Sequence, residues 1–182
     1  MYGIINKSIE ELVIHNYGIE KWEAVKKRSG IDVDFFVSNE SYEDSITYTL
    51  AQSISHECNI SIQQTMETFG EWWILKTGKE KYGALIEAGG ANLKMFLVGL
   101  PNFHNRIMLM YPKLTPPEFQ ISNIQEKSLY VHYISKRTGL NDFVKGLLVG
   151  LGKLYKTPVT ITTVDENHSG SSYNETYYLS WN

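Results

Sequence analysis

From Ile4 to about Met110, apolar residues recur three and four positions apart, the repeat of helices that each bury one face. Ile5, Ile9, Leu12 and Val13 mark a first helix, and Trp22 and Val25 a second that stops at Ser29-Gly30. Residues 48–54 predict a third helix. Residues 62–75 predict a fourth, rich in large rings at Phe69, Trp72 and Trp73. Gly78, Gly83 and the pair Gly89-Gly90 punctuate the next stretch of chain. Two further helices, 91–98 and 101–111, flank Gly99-Leu100-Pro101, with the proline at a tolerated first-turn position. Pro112, Pro116 and Pro117 then end the helical half.

Beyond these prolines the signal becomes extended. Residues 119–121, 128–135, 159–164 and 176–181 predict strands. Between the second and third of them, 141–155 predicts a helix with Phe143, Leu147, Leu148, Leu151 and Leu154 on one face. Its Gly146 and Gly150, four apart, leave room for something flat or for another backbone. The expected fold class is α+β: a helical N-terminal part packed on a C-terminal part with a small antiparallel sheet and an inserted helix. No repeat or low-complexity tract divides the chain, and 182 residues suffice for one domain with a real core.

Composition narrows the function classes. A single cysteine makes neither an internal disulfide nor a zinc cluster and suits a reducing, cytoplasmic setting. With 17 basic and 20 acidic residues interspersed, the net charge of −3 offers no basic surface for nucleic acid. No apolar run reaches the roughly 18 residues of a membrane span. The opening Met1-Tyr2-Gly3-Ile4-Ile5-Asn6 lacks the basic region and long apolar stretch of a signal peptide.

Three features carry candidate chemistry. Of the histidines (His15, His56, His104, His132 and His168), His104 shares an apolar stripe with Phe96, Leu97, Leu100, Ile107 and Met108, so its imidazole faces the core. Alone, such a histidine is ordinarily a satisfied core residue. Tyr133, Ser135 and Arg137 alternate along one strand and lie in a row about 13 Å long. That row suits carboxylates, or else is the solvated face of an edge strand. Phe69, Trp72 and Trp73, with Phe143 and Leu147, are either core or the walls for a flat apolar guest. Haem satisfies all three features, because its iron takes an imidazole, its macrocycle wants apolar walls and its propionates want donors. There is no C-x-x-C-H sequence, so a haem here is held non-covalently, as b-type.

The opening hexapeptide, Leu12-Val13-Ile14-His15-Asn16-Tyr17-Gly18, Phe69-Gly70-Glu71-Trp72-Trp73, Leu100-Pro101-Asn102-Phe103-His104, Pro116-Pro117 and Tyr133-x-Ser135-x-Arg137 succeed one another in an order that resembles an H-NOX domain. This is the haem nitric oxide/oxygen-binding family, which includes the sensor domain of soluble guanylate cyclase. The resemblance runs over essentially the whole chain and implies a single domain, with about 1–65 as a helical distal part and about 66–182 as the haem-anchoring part. It implies that His104 ligates the iron, that Tyr133, Ser135 and Arg137 hold the propionates, and that Pro117 presses on the ring. Tyr2, Ile5, Trp73, Ile74, Phe143 and Leu147 complete the implied cofactor site. Oxygen-binding members carry a tyrosine where this chain has Phe143, which implies NO and CO as ligands and not O₂. Similarity to stand-alone bacterial members implies action in trans on a histidine kinase or a cyclic-di-GMP enzyme.

Two other readings stand beside this one. In a haem-free binding module the ring-lined cavity takes a hydrophobic small molecule and the Tyr133/Ser135/Arg137 row its carboxylate. An enzyme has less support, because no nucleophile elbow, P-loop, paired metal histidines or dinucleotide fingerprint occurs. Glu10-Glu11 and Asp32/Asp34 read as solvated charge, and Cys58 as a quiet thiol.

Overall fold

A computed structural model describes residues 1–111, 115–169 and 172–182, with the backbone alone at 165–169, 172 and 173. The N-terminal half is helical: α1 (Gly3–Tyr17), α2 (Ile19–Ser29), α3 (Asp44–Glu57), α4 (Ile62–Trp72), a π-helical turn (Trp73–Gly78), α5 (Lys79–Gly89), α6 (Leu93–Val98) and α7 (Leu100–Met110). Strands β1 (Glu118–Ser122) and β2 (Ser128–Ser135), helix α8 (Asn141–Leu154), and strands β3 (Val159–Ser169) and β4 (Ser172–Trp181) complete the chain. The strands form one antiparallel sheet in the order β1-β2-β4-β3. The α+β class expected from the sequence is the observed one.

Local chemistry explains most boundaries. Gly30 ends α2 in the left-handed region, at φ 63°. Ser61 and Gln64 form a reciprocal capping box that starts α4. The Asn92 side chain accepts from the Met95 amide, so α6 begins at Leu93 rather than at 91. Helix α3 opens at Asp44, earlier than the apolar pattern indicates, with an acid in the first turn where the helix dipole favours it.

Other expectations need correction. Helix α4 stops at Trp72, and the stretch that reads as its last turn is π-helical. Trp72-Trp73-Ile74-Leu75 is apolar without a break, so the sequence carries no period there to tell one helix type from another. Gly78 does mark a boundary, between the π-helical turn and α5, and next to Gly83 the backbone of α5 kinks at Tyr82 (φ −127°, ψ 15°) without ending the element. Tyr82 and Ile86, buried on the inner side of α5, hold the helix against the cost of a glycine, about 1 kcal/mol. The hairpin of β3 and β4 runs past the predicted ends, through a polar stretch with no strand signal. Pro112 lies outside the described residues.

Two clusters make up most of the core. One joins α1 to α4 through Val13, Trp22, Val25, Leu50 and Phe69. The other joins α6, α7 and α8 to the inner sheet face through Leu97, Leu100, Leu129, Val131, Leu148 and Tyr177. Helices α4 and α8 bind the two together. A Cβ on Gly70 would lie 2.1 Å from the Phe143 carbonyl oxygen, and one on Gly146 would lie 2.1 Å from that of Glu67. The glycines of α8 therefore admit another backbone, the second of the two possibilities open from the sequence. None of the helices among the described residues is long and apolar enough to cross a membrane.

Candidate functional site

A cavity of about 240 Å³ lies where α1, the π-helical turn, α5, α7, α8 and the sheet converge. Its walls are mostly apolar, and each group singled out in the sequence reaches it. His104, Tyr133, Ser135, Arg137, Pro117, Tyr2, Ile5, Trp73, Ile74, Phe143 and Leu147 all line this one space.

His104 enters from α7. Its Nδ1 lies 3.3 Å from the Leu100 carbonyl oxygen one turn earlier, so Nδ1 carries the proton and donates. The ring stacks on Phe119 of β1, with centroids 5.1 Å apart and planes 29° from parallel, and meets Phe103 edge-on. Burial pushes the imidazole below the usual histidine range, and the bond to Leu100 only partly offsets that. The ring is therefore neutral, and Nε2 keeps its lone pair on the cavity side. Sequence reasoning misses Phe119, which fixes the ring's orientation, because the pairing of α7 with β1 has no signature in the sequence.

The donor row is assembled differently from the expectation. Tyr133 and Ser135 alternate along β2 on its inner face, both nearly fully buried. Arg137 stands two residues past the end of the strand and is not on it. Ser135 Oγ accepts from the Arg137 amide at 3.0 Å, a side-chain turn that bends the chain out of the sheet. The guanidinium is then held by two partners that the sequence does not reveal. Nε donates to Asp44 Oδ2 at 2.6 Å, and an Nη to the Thr115 carbonyl at 2.7 Å, next to Pro116-Pro117. Asp44 also accepts from the Met1 ammonium at 2.6 Å. Burial alone would raise the Asp44 carboxyl, but hydrogen bonds and charge from the N-terminus and Arg137 outweigh it and hold the group below the usual aspartate range. Nearby, burial first and the Asp44 charge second push the Tyr48 phenol up to about 12, so it remains a donor to the Thr138 carbonyl.

Opposite His104, Phe143 and Trp73 flank Phe69, with centroids 4.8 and 6.4 Å from it. Phe143 presents a ring without a polar atom. The Trp73 indole N–H is the other donor to weigh on this wall. On the far side of the π-helical turn, Trp72 faces away from the cavity and packs on His15.

The remaining candidates stay apart from the cavity. His132 is on the outer sheet face between Ser122 and Thr176, and His15 bonds Asn16 on the surface. The side chain of His168 lies outside the described residues. Cys58 ends α3, with burial raising its thiol, which keeps it protonated and unreactive.

The donor set is that of a large, flat, dianionic guest with a metal at its centre. It combines one free imidazole nitrogen, a wide apolar slot, and a buried phenol and hydroxyl beside a guanidinium. These residues fit a haem.

Comparison with known proteins gives the same picture. A family described as Haem-NO-binding matches residues 2–163. Soluble guanylate cyclase gcy-32 of Caenorhabditis elegans is 32% identical over 156 residues, covering 84% of this chain and 23% of its own. Soluble guanylate cyclase 89Db of Drosophila melanogaster is 25% identical over 153 residues, again 84% of this chain and 23% of its own. The chain thus spans about a quarter of the length of these relatives. An Fe(II) unliganded H-NOX protein mutant from K. algicida superposes with a TM-score of 0.86 at 22% identity, over 100% of this chain and 97% of that one. An oxygen-binding H-NOX domain in its oxygen complex has a TM-score of 0.83 at 20% identity, over 100% and 95%.

Proposed function

Because the chain belongs to the Haem-NO-binding family, we propose that it is a haem-based gas sensor whose non-covalent, ferrous b-type haem binds NO or CO and not O₂. The observation that carries this reading is a neutral imidazole with Nε2 free in an apolar slot that also contains Tyr133, Ser135 and Arg137. In this reading His104 holds the iron, the three donors hold the propionates, and Pro117 bears on the ring. Tyr2, Ile5, Trp73, Ile74, Phe143 and Leu147 enclose the gas side. Residues of about 1–65 form the distal part and about 66–182 the anchoring part.

A haem held here by His104 would supply an iron able to bind a diatomic gas. Everything else falls to the chain. Leu100 keeps the imidazole in the tautomer that can ligate, and Phe119 keeps its plane. Bound O₂ draws negative charge outward and gains most from a buried donor, which Phe143 does not provide. NO and CO need a donor far less, so selectivity arises from a missing phenol. If NO binding weakened the hold of His104 on a bound haem, α7 would be freed from the cofactor and could shift against the sheet.

In this reading the domain senses and does not itself catalyse, and the enzyme it regulates is a histidine kinase or a cyclic-di-GMP enzyme. Support for that partner is the resemblance to stand-alone members. A cytoplasmic setting belongs to the same reading.

Absorption spectra of the purified ferrous protein, alone and with CO, NO or air, test the proposal. A Soret band that shifts with CO and NO and not with air is expected. A colourless protein would sink the haem reading, and a stable oxygen complex in air would sink the selectivity and point to Trp73 as donor.

Arg137→Ala removes the guanidinium and leaves Asp44 facing the Met1 ammonium alone. A charge-assisted pair of this kind is worth about 1.5–3 kcal/mol. Haem transfer to excess apomyoglobin should therefore become roughly 10–100-fold faster, with the position of the ferrous Soret band unchanged.

A further inference from the structure

Tyr2, Tyr82 and Tyr111 line the same cavity as His104 and have no assigned part in holding it. Tyr111 caps α7, on the same stripe as His104 and Ile107. Its phenol oxygen accepts a hydrogen bond from the Tyr82 hydroxyl at 2.8 Å. Its ring meets Tyr2 edge-on, with centroids 5.1 Å apart. Tyr82 belongs to α5, and the backbone leaves helical geometry at this residue, with φ −127° and ψ 15°. Burial, then the bond to Tyr111, raise the Tyr82 phenol well above the usual tyrosine range, so it keeps its proton and stays a donor.

The rest of the last turn of α7 is loosely held. Leu109 and Met110 are 83% and 53% exposed, and Ile107 is the buried residue there. The start of the helix, by contrast, is fixed in the main core through Leu100 and Phe103. Among the described residues, Ile107 and Tyr111 tie the trailing end into a small cluster with Ile4 and Leu85, in which Tyr111 contacts Tyr82 and Tyr2.

We propose that the Tyr82–Tyr111 pair clamps the helix that carries His104 and so makes the imidazole unable to follow the iron when a gas draws it to the opposite side. Tyr82 and Tyr111 are positioning residues. With the clamp intact, displacement of the iron stretches the bond to Nε2 until it parts. Without the clamp, α7 moves with the iron and the bond survives. The inference rests on the haem reading and adds to it the residues that set how readily His104 lets go.

The test uses Tyr82→Phe and Tyr111→Phe, which keep the rings and delete the shared hydrogen bond, as full-length ferrous protein. After addition of NO, the ratio of protein with His104 retained to protein with His104 released is read by absorption and electron paramagnetic resonance. It should rise roughly five-fold in either variant, equivalent to about 1 kcal/mol for one lost hydrogen bond. The iron–histidine stretching band in resonance Raman should move up before NO is added, as tension on the bond falls. Haem content should match the parent, and the double variant should exceed neither single one, because both delete the same bond. Parent-like band positions and ratios would overturn the clamp, as would a loss of haem with an unmoved band. A colourless parent protein would fail at the earlier step and overturn the haem reading itself.

Discussion

Replacing His104 by glycine is expected to abolish the Soret absorption of the purified protein, and added imidazole to bring part of it back. Loss of an outer partner of a metal ligand costs about 10–100-fold in affinity, and loss of the ligand itself should cost no less. General destabilisation is the rival explanation for any change at a buried ring. Two features of the site separate the explanations. The vacated space is bounded by the face of Phe119, on which a free imidazole can stack as the side chain did, and by Phe103, set edge-on to it. The Leu100 carbonyl can then accept a hydrogen bond from the free ring's second nitrogen. Recovery of colour by imidazole, with circular dichroism and the urea midpoint near those of the parent, would assign the role to His104. If His104→Gly retains a parent-like Soret band, another residue binds the iron and the site has been misread.

Phe143→Tyr should have the second-largest effect and the opposite sense, strengthening oxygen binding. The ring of residue 143 lines the cavity beside Phe69. A phenol there adds one hydroxyl and little volume to an apolar wall. A hydrogen bond to a charged acceptor in such surroundings is worth about 1.5–3 kcal/mol, so oxygen affinity should rise roughly 10–100-fold, while CO affinity moves much less. Air-equilibrated ferrous protein measures this directly. No change would mean that the hydroxyl points away from the bound gas. Equal gains for O₂ and CO would mean that cavity shape, and not a donor, sets the preference.

The site is more legible in the sequence than the elements that build it. His104 is recognisable because its helix carries a single uninterrupted stripe, and Tyr133 and Ser135 because strand alternation fixes a face. Arg137 illustrates the limit. The two-residue rhythm continues to 137, but Ser135 turns the chain before that point, and a short side-chain-to-backbone bond leaves no trace in the pattern. Asp44, Thr115 and Phe119 are invisible for a different reason. Each meets its partner across a large separation in the chain, between elements whose packing a single sequence does not encode. The π-helical turn is hidden by its own richness in apolar residues. Tyr82 reads as one ring in a stretch punctuated by glycines, and its place at the kink of α5, with a partner at the end of α7, has no signature in the sequence.

The backbone-to-backbone seam between α4 and α8 limits what redesign of this receptor could attempt. Because any Cβ at 70 or 146 would run into a carbonyl oxygen, the two helices cannot be spread to enlarge the gas chamber from behind. Tuning along α8 is left to the side chains that line the cavity, Phe143, Val144, Leu147, Leu148 and Leu151. Of these, Val144, Leu148 and Leu151 also belong to the main core, so a library at 143 and 147 would reshape the chamber at the least cost to packing.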